Sequence, residues 1–326
     1  MKALRLALLL LLVAACAPKL QPFDLVATEP QLTPFNFISD DGAVLPLRTW
    51  LPEDPPRAVV LALHGFNDYS KAFENPGAAW RDAGIATFAY DQRGFGAAPY
   101  RGRWAGGERM ARDAGLALQL LNARYPDTPV FLLGESMGGA IALTLATGDE
   151  PPPVAGLILV APAVRGRAAL GPLASNTLWF FGHTLPWYKL TGEGLNIRPS
   201  DNLEALRELF EDPMVIKATR IDAIYGLVDL MDAAAVAAPK LRTATLVLYG
   251  ANEEVVSVEA AREFIESLPK PPAPVRVAVY AQGYHLLFRD RDAGTVIGDV
   301  AAWTAAPGEP LPSGADGSGV AAFVAR

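Results

Sequence analysis

Val130-Phe131-Leu132-Leu133-Gly134-Glu135-Ser136-Met137-Gly138-Gly139 is the stretch on which the reading of this chain turns. A short apolar run, predicted as a buried strand over 130–133, leads into the pattern G-x-S-x-G. A helix is predicted from Met137 to Thr147. A serine caught between strand and helix sits on a sharp, strained turn, and glycines beside it let the two elements approach. The turn lifts the hydroxyl above the carboxyl ends of the strands. Met137 then contributes a backbone N–H at a helix start, where the dipole favours developing negative charge.

The sequence around this centre alternates strands and helices. Upstream, Phe35–Ser39 and Ala43–Trp50 are predicted strands joined by the turn Asp40-Asp41-Gly42. Ala58–Leu63 is a continuous apolar run of the kind that marks a buried parallel strand, and Ile85–Tyr90 is another. Glu108–Arg124 has apolar residues at 110, 114, 117, 118 and 121, the spacing of one helical face. Downstream, strands are predicted at Val154–Ala161, Ala244–Tyr249 and Val275–Tyr280, with a helix at Val258–Leu268. Such alternation implies an α/β domain, a mostly parallel sheet with helices on both faces.

The rhythm breaks over 165–240, a stretch holding Trp179-Phe180-Phe181-Gly182-His183 and Pro186-Trp187-Tyr188. A helical cap inserted between two core strands is the simplest reading. The core then comprises 35–164 and 241–304. Residues 16–34 read as a Pro-rich, polar tether, and 305–326, rich in Gly, Ala, Pro and Ser, as a disordered tail.

A strand-to-helix G-x-S-x-G on a parallel sheet is the context of the α/β-hydrolase fold, in which the chain order is nucleophile, acid, histidine. Ser136 is the candidate nucleophile. The loop His64-Gly65-Phe66-Asn67 follows an earlier buried strand, and Phe66 is the candidate second oxyanion donor beside Met137. Of the three histidines, only His285 in Gly283-Tyr284-His285 follows the nucleophile at the end of the domain. His64 reads as structural, and His183 as part of the cap. The acid belongs on the loop Ala251-Asn252-Glu253-Glu254-Val255-Val256, which has no Asp, so a Glu must orient the imidazole. Asp229 and Asp232 are the reserve candidates.

Composition narrows the partners. The formal net charge is −7, with no block of Lys or Arg, which argues against nucleic acid. Three histidines and one cysteine leave little for a metal centre, and no metal or other cofactor is implied. At the N-terminus, Lys2 and Arg5 precede the apolar run Leu6–Val13, which is short for a membrane span and reads as a signal peptide over 1–15. Val13-Ala14-Ala15-Cys16 resembles the bacterial lipobox, which implies lipidation of Cys16 and a membrane anchor. Ala17 rather than Asp after that cysteine points to the outer membrane of a bacterial cell envelope, facing the periplasm.

From about residue 35 to 304 the chain resembles the monoacylglycerol lipase, lysophospholipase and serine aminopeptidase group of α/β-hydrolases. The resemblance is carried by His64-Gly65-Phe66, Asp91-Gln92-Arg93-Gly94-Phe95-Gly96, Gly134-Glu135-Ser136-Met137-Gly138-Gly139, Gly250-Ala251-Asn252-Glu253-Glu254-Val255-Val256 and Gly283-Tyr284-His285. It implies that the acid is Glu253, where the group usually has Asp, and that a cap covers the site. The group commonly has His where Glu135 stands. The expected activity is hydrolysis of carboxylic esters of monoacyl lipids, a lysophospholipid or a monoacylglycerol. Peptidase, thioesterase or acyl-transfer chemistry on the same residues, and a non-catalytic binding protein of the same fold, are the competing readings.

Overall fold

The computed structural model describes residues 18, 20–22, 27–164, 166–194, 196–270 and 274–324. The signal segment 1–15 and Cys16 lie outside the described residues. Strands β1 (Gln31–Leu32), β2 (Asn36–Ile38), β3 (Val44–Trp50), β4 (Ala58–Leu63), β5 (Ile85–Tyr90), β6 (Val130–Glu135), β7 (Gly156–Val160), β10 (Thr245–Gly250) and β11 (Val275–Tyr280) form one sheet. Its order is β1-β2-β3-β5-β4-β6-β7-β10-β11. The first three strands meet their neighbours antiparallel, and from β5 to β11 every pairing is parallel.

Strands β4, β5, β6, β7 and β10 are buried throughout, which is why they read as unbroken apolar runs rather than alternating ones. The helices that cover the sheet are α1 (Glu74–Asp82), α2 (Gly107–Arg124) and α3 (Met137–Ala146), then, after the cap, α7 (Val258–Ser267) and α8 (Ala293–Ala305). Two buried clusters result, one on each face. Trp80, Phe131, Ile158 and Trp303 belong to one; Phe88, Leu132, Leu159 and Ile141 belong to the other. This is the α/β-hydrolase fold.

Between β7 and β10 lie α4 (Gly166–Thr184), the short antiparallel pair β8 (Lys189–Thr191) and β9 (Ala218–Arg220), α5 (Leu203–Glu211) and α6 (Ile221–Ala237). Helix α4 is broken at Gly171, whose φ of 74° no helix accommodates, with Pro172 restarting the turn. Helix α6 packs on both α4 and α3, so it joins the insertion to the core.

Two expectations drawn from composition fail. The tail does not hang free. Ala315 carbonyl accepts the Val279 N–H of edge strand β11 at 2.9 Å, Asp316 pairs with Arg276, and Leu311 is buried. A last helix, α9 (Ser318–Val324), stacks Phe323 on Tyr249 with ring centroids 6.2 Å apart. Small residues dominate the segment, yet a few apolar ones suffice to cover an edge strand that would otherwise be bare. Part of the tether is also built in. Gln21 is buried, donating its backbone N–H to Trp104 O at 3.1 Å and its amide to Arg103 O at 2.7 Å, and β1 extends the sheet.

Candidate active site

Ser136 occupies the junction of β6 and α3 with φ 51° and ψ −113°, a left-handed conformation that costs a non-glycine residue on the order of 1–3 kcal/mol. Its backbone is pinned from several sides. The Ser136 N–H donates to Val160 O at 2.8 Å, and its carbonyl accepts from Ala140 and Ala163 at 3.2 and 2.9 Å. Neighbouring chain comes equally close: a Cβ on Gly138 would overlap the Leu63 carbonyl, and one on Gly134 the Gly138 carbonyl. These glycines are therefore required by packing. The Ser136 side chain makes no capping bond to its own helix, which leaves the hydroxyl for chemistry.

The parallel register sets Leu63 of β4 beside Gly134 of β6, so the loop after β4 runs next to Ser136. A Cβ on Gly65 would stand 3.4 Å from that of Ser136. Phe66 follows, its ring packed edge-on against Phe95 and Trp104. Met137 opens α3. Among the described residues no backbone carbonyl takes the N–H of either Phe66 or Met137.

His285 and Glu253 come from the loops after the adjacent parallel strands β11 and β10. Asn252 N–H donates to Gly283 O at 2.9 Å, drawing the two loops together. Glu253 Oε2 lies 2.8 Å from His285 Nδ1, both residues buried. Its other oxygen accepts the N–H groups of Val255 and Val256 at 2.7 and 3.0 Å. Burial alone would depress the imidazole. The charge and hydrogen bond of Glu253, with Glu135 and Asp290 further out, outweigh it and hold His285 above its ordinary value. Glu254 points elsewhere, accepting the Arg198 N–H at 2.7 Å.

The other candidates fall outside this constellation. His64 donates from Nδ1 to Gly65 O at 2.8 Å and accepts the Gln92 N–H on Nε2 at 2.9 Å. Both ring nitrogens are engaged, burial lowers its pKa, and it is a structural, neutral imidazole. His183 is stacked on Trp179 in the cap. Asp229 and Asp232 both bind Arg167. The Asp91-to-Gly96 motif is scaffold: Asp91 Oδ1 accepts the N–H and hydroxyl of Ser70, while Arg93 joins Asp41 and Asp113 at 2.6 Å each.

The surroundings hold acids that motif spacing alone does not reveal. Glu135, directly before Ser136, is buried, and burial pushes its carboxyl up to about 7 against the opposing charge of Arg289. Arg289 pairs with Asp68 at 2.6 Å. Asp290 is also buried, and burial raises its pKa despite hydrogen bonds from Ser200 and Tyr284. In the sequence Glu135 stands in an apolar stretch and Arg289-Asp290 open the charged run 289–292, neither of which says where the side chains point.

A strained serine at a strand-to-helix turn, with a buried histidine–glutamate pair on later strand ends, defines a lipase- and esterase-like serine hydrolase of the α/β class. The family model described as Hydrolase_4, serine aminopeptidase S33, matches residues 54–292, and the chain belongs to that family. It is similar to the monoglyceride lipase of Mus musculus, 27% identical over 82% of this chain and 88% of the relative. The monoacylglycerol lipase of Mycolicibacterium smegmatis is 25% identical over 78% of this chain and 90% of its own length. Among solved structures, a soluble variant of the Saccharomyces cerevisiae monoglyceride lipase with a substrate analog superposes at a TM-score of 0.70. It is 20% identical and covers 89% of this chain and 99% of its own.

Proposed function

We propose that this protein hydrolyses carboxylic esters of monoacyl lipids, a monoacylglycerol or a lysophospholipid, with Ser136 as nucleophile, His285 as base and Glu253 as the orienting acid. The observation that carries the reading is the buried His285–Glu253 pair at 2.8 Å, set on the strand ends that follow the strained Ser136. Ser136 Oγ attacks the ester carbonyl carbon while its proton passes to His285 Nε2. Glu253 accepts the Nδ1–H and stabilises the imidazolium. The carbonyl oxygen, now negative, faces the N–H groups of Phe66 and Met137. The imidazolium returns its proton to the departing alkoxide, freeing the alcohol and leaving an acyl-serine. Water, deprotonated by His285, attacks the acyl carbon, and His285 returns that proton to Ser136 Oγ as the fatty acid leaves.

Preference for a lipid ester is supported by the relatives named monoglyceride and monoacylglycerol lipase and by the exposed aromatic face of the cap. Trp179, Phe180, Trp187 and Tyr188 are all more than half exposed. The same reading attaches the protein to an envelope membrane through a lipid on Cys16. The serine aminopeptidase description of the family favours, as a second reading, attack on an aminoacyl amide.

The test is a fluorophosphonate label followed by a substrate panel. Wild type should label, and Ser136→Ala should not. Turnover on monoacylglycerols and lysophospholipids should exceed that on aminoacyl amides. A folded wild-type protein that takes no label overturns the enzyme reading, and faster turnover on amides moves it to the peptidase.

A further inference from the structure

The cap insertion reaches down to the histidine loop through the segment 198–202. Residues 198–202, between β8 and α5, touch both the loop that carries Glu253 and the loop that carries His285. Arg198 donates its N–H to Glu254 Oε2 at 2.7 Å, and its guanidinium stands 5.4 Å from the ring centre of Tyr284. Pro199 O accepts the Leu286 N–H at 2.9 Å. Ser200, with no exposed surface, donates its hydroxyl to Asp290 Oδ1 at 2.6 Å. Asp290 Oδ2 in turn accepts the Tyr284 N–H at 2.7 Å. His285 is thus gripped on both sides: the residue before it through Ser200 and Asp290, the residue after it through Pro199.

This grip does work that Glu253 does not. A hydrogen bond to Nδ1 fixes the rotation of the imidazole ring, but not the height of the backbone that carries it. The histidine sits five residues beyond the end of β11, outside any ladder bond. Without Asp290 the Tyr284 N–H would lose its acceptor in a half-buried place. A carboxylate receiving both a hydroxyl and a backbone N–H is a strong, directional clamp. Resting on the serine hydrolase reading above, we propose that Ser200 and Asp290 are a positioning pair through which the cap insertion holds His285 in place for proton transfer. Neither touches the reacting atoms. Both act on the backbone next to His285.

The consequence is a rate effect without a binding effect. Misplacing a proton acceptor by about 1 Å costs on the order of 100-fold in rate. Ser200→Ala should therefore lower kcat on a soluble short ester by roughly 10-fold, and Asp290→Ala, which removes both acceptors, by roughly 100-fold, with KM unchanged. The double variant should be no slower than Asp290→Ala, because the two side chains act along one path.

End-point fluorophosphonate labelling counts competent sites, so kcat is expressed per labelled site. A merely structural role would reduce the number of labelled sites and leave kcat per site at the wild-type value, and that result overturns the proposal. So does a fall in Ser200→Ala that appears in KM alone. If Asp290→Ala does not fold, Ser200→Ala, which removes a single oxygen, still decides. Wild type that labels normally beside an unaffected Ser200→Ala leaves the hydrolase reading intact and removes this inference. Wild type that never labels removes both.

Discussion

Glu253 divides its two oxygens between two tasks: Oε2 meets His285 Nδ1 at 2.8 Å, and Oε1 accepts the N–H groups of Val255 and Val256. The carboxylate is thus anchored to its own loop by the oxygen that does not serve the imidazole. A glutamate is one methylene longer than the aspartate usual at this position. The turn 253–256 folds the extra length back, so the reach to His285 is that of an ordinary hydrogen bond.

The first prediction separates the two neighbouring glutamates. Glu253→Gln keeps the size but removes the charge that supports imidazolium, and turnover should fall by roughly 10²–10⁴. Glu254→Gln can still accept the Arg198 N–H through its amide oxygen and should behave like wild type. Steady-state hydrolysis of a short ester by the two variants checks this. A crippled Glu254→Gln beside an active Glu253→Gln would reverse the assignment.

Glu135 yields a prediction about pH. Burial holds its carboxyl at about 7, against 4.5 for the ordinary group, so ionisation is harder in the folded than in the unfolded chain. For an acid raised on folding, the cost is absent below the unfolded value, grows as pH rises, and is complete above the folded value. At full ionisation it amounts to about 3 kcal/mol. Glu135→Gln bears no such cost. Urea unfolding should therefore show the variant gaining stability over wild type at pH 8 and losing that advantage at pH 4. The same substitution removes a charge that raises His285, so the acid limb of kcat/KM should move to lower pH. A limb that stays in place, with no stability gain at pH 8, would mean that folding does not raise the Glu135 carboxyl.

How far the sequence could be read depended on the range of the interaction concerned. Buried parallel strands announce themselves because both faces are apolar, and the turn at Ser136 because its glycines are forced by contact with Leu63 and Gly138. The chain order of the α/β-hydrolase fold singles out His285 from three histidines, and it is the one that lies 2.8 Å from Glu253. The roles of Glu135, Arg289 and Asp290 were not legible, since they arise from side chains brought together across β6, the loop after β4 and the segment 198–202. The helix at Ile221–Ala237 was missed for a related reason. It is amphipathic toward two partners, α4 and α3, so its apolar residues show no single stripe. The tail departs from the expectation because composition averages over Leu311 and Phe323, the large apolar residues it buries.

The anchor prediction concerns Cys16 and is independent of the site. Cys16→Ser should abolish lipid attachment and block processing of the precursor, as read by mass spectrometry. Activity on a soluble short ester should be unchanged, because a lipid there sets location and not chemistry. A mature chain starting elsewhere without a lipid would remove the anchor.

The last prediction turns on which way the cap aromatics face. Trp179 is 52% exposed and Phe180 53%, so these rings do not form a cap core. His183 stacks on Trp179, and Phe180 meets Phe181 edge-on, so the rings make two contacting pairs on α4 rather than isolated side chains. Replacing both by Ala should leave the unfolding midpoint nearly unchanged, because exposed side chains contribute within roughly 0.5 kcal/mol each. On a long-chain monoacylglycerol the same change should cost about 1–3 kcal/mol for each ring that an acyl chain covers on its way to Ser136, whereas a short ester has no chain to cover them. The measurement is kcat/KM on a homologous series of esters in the double variant and wild type. A loss that grows with acyl length assigns the surface to the lipid. Equal losses across the series, accompanied by a lower unfolding midpoint, would assign it to holding the cap together.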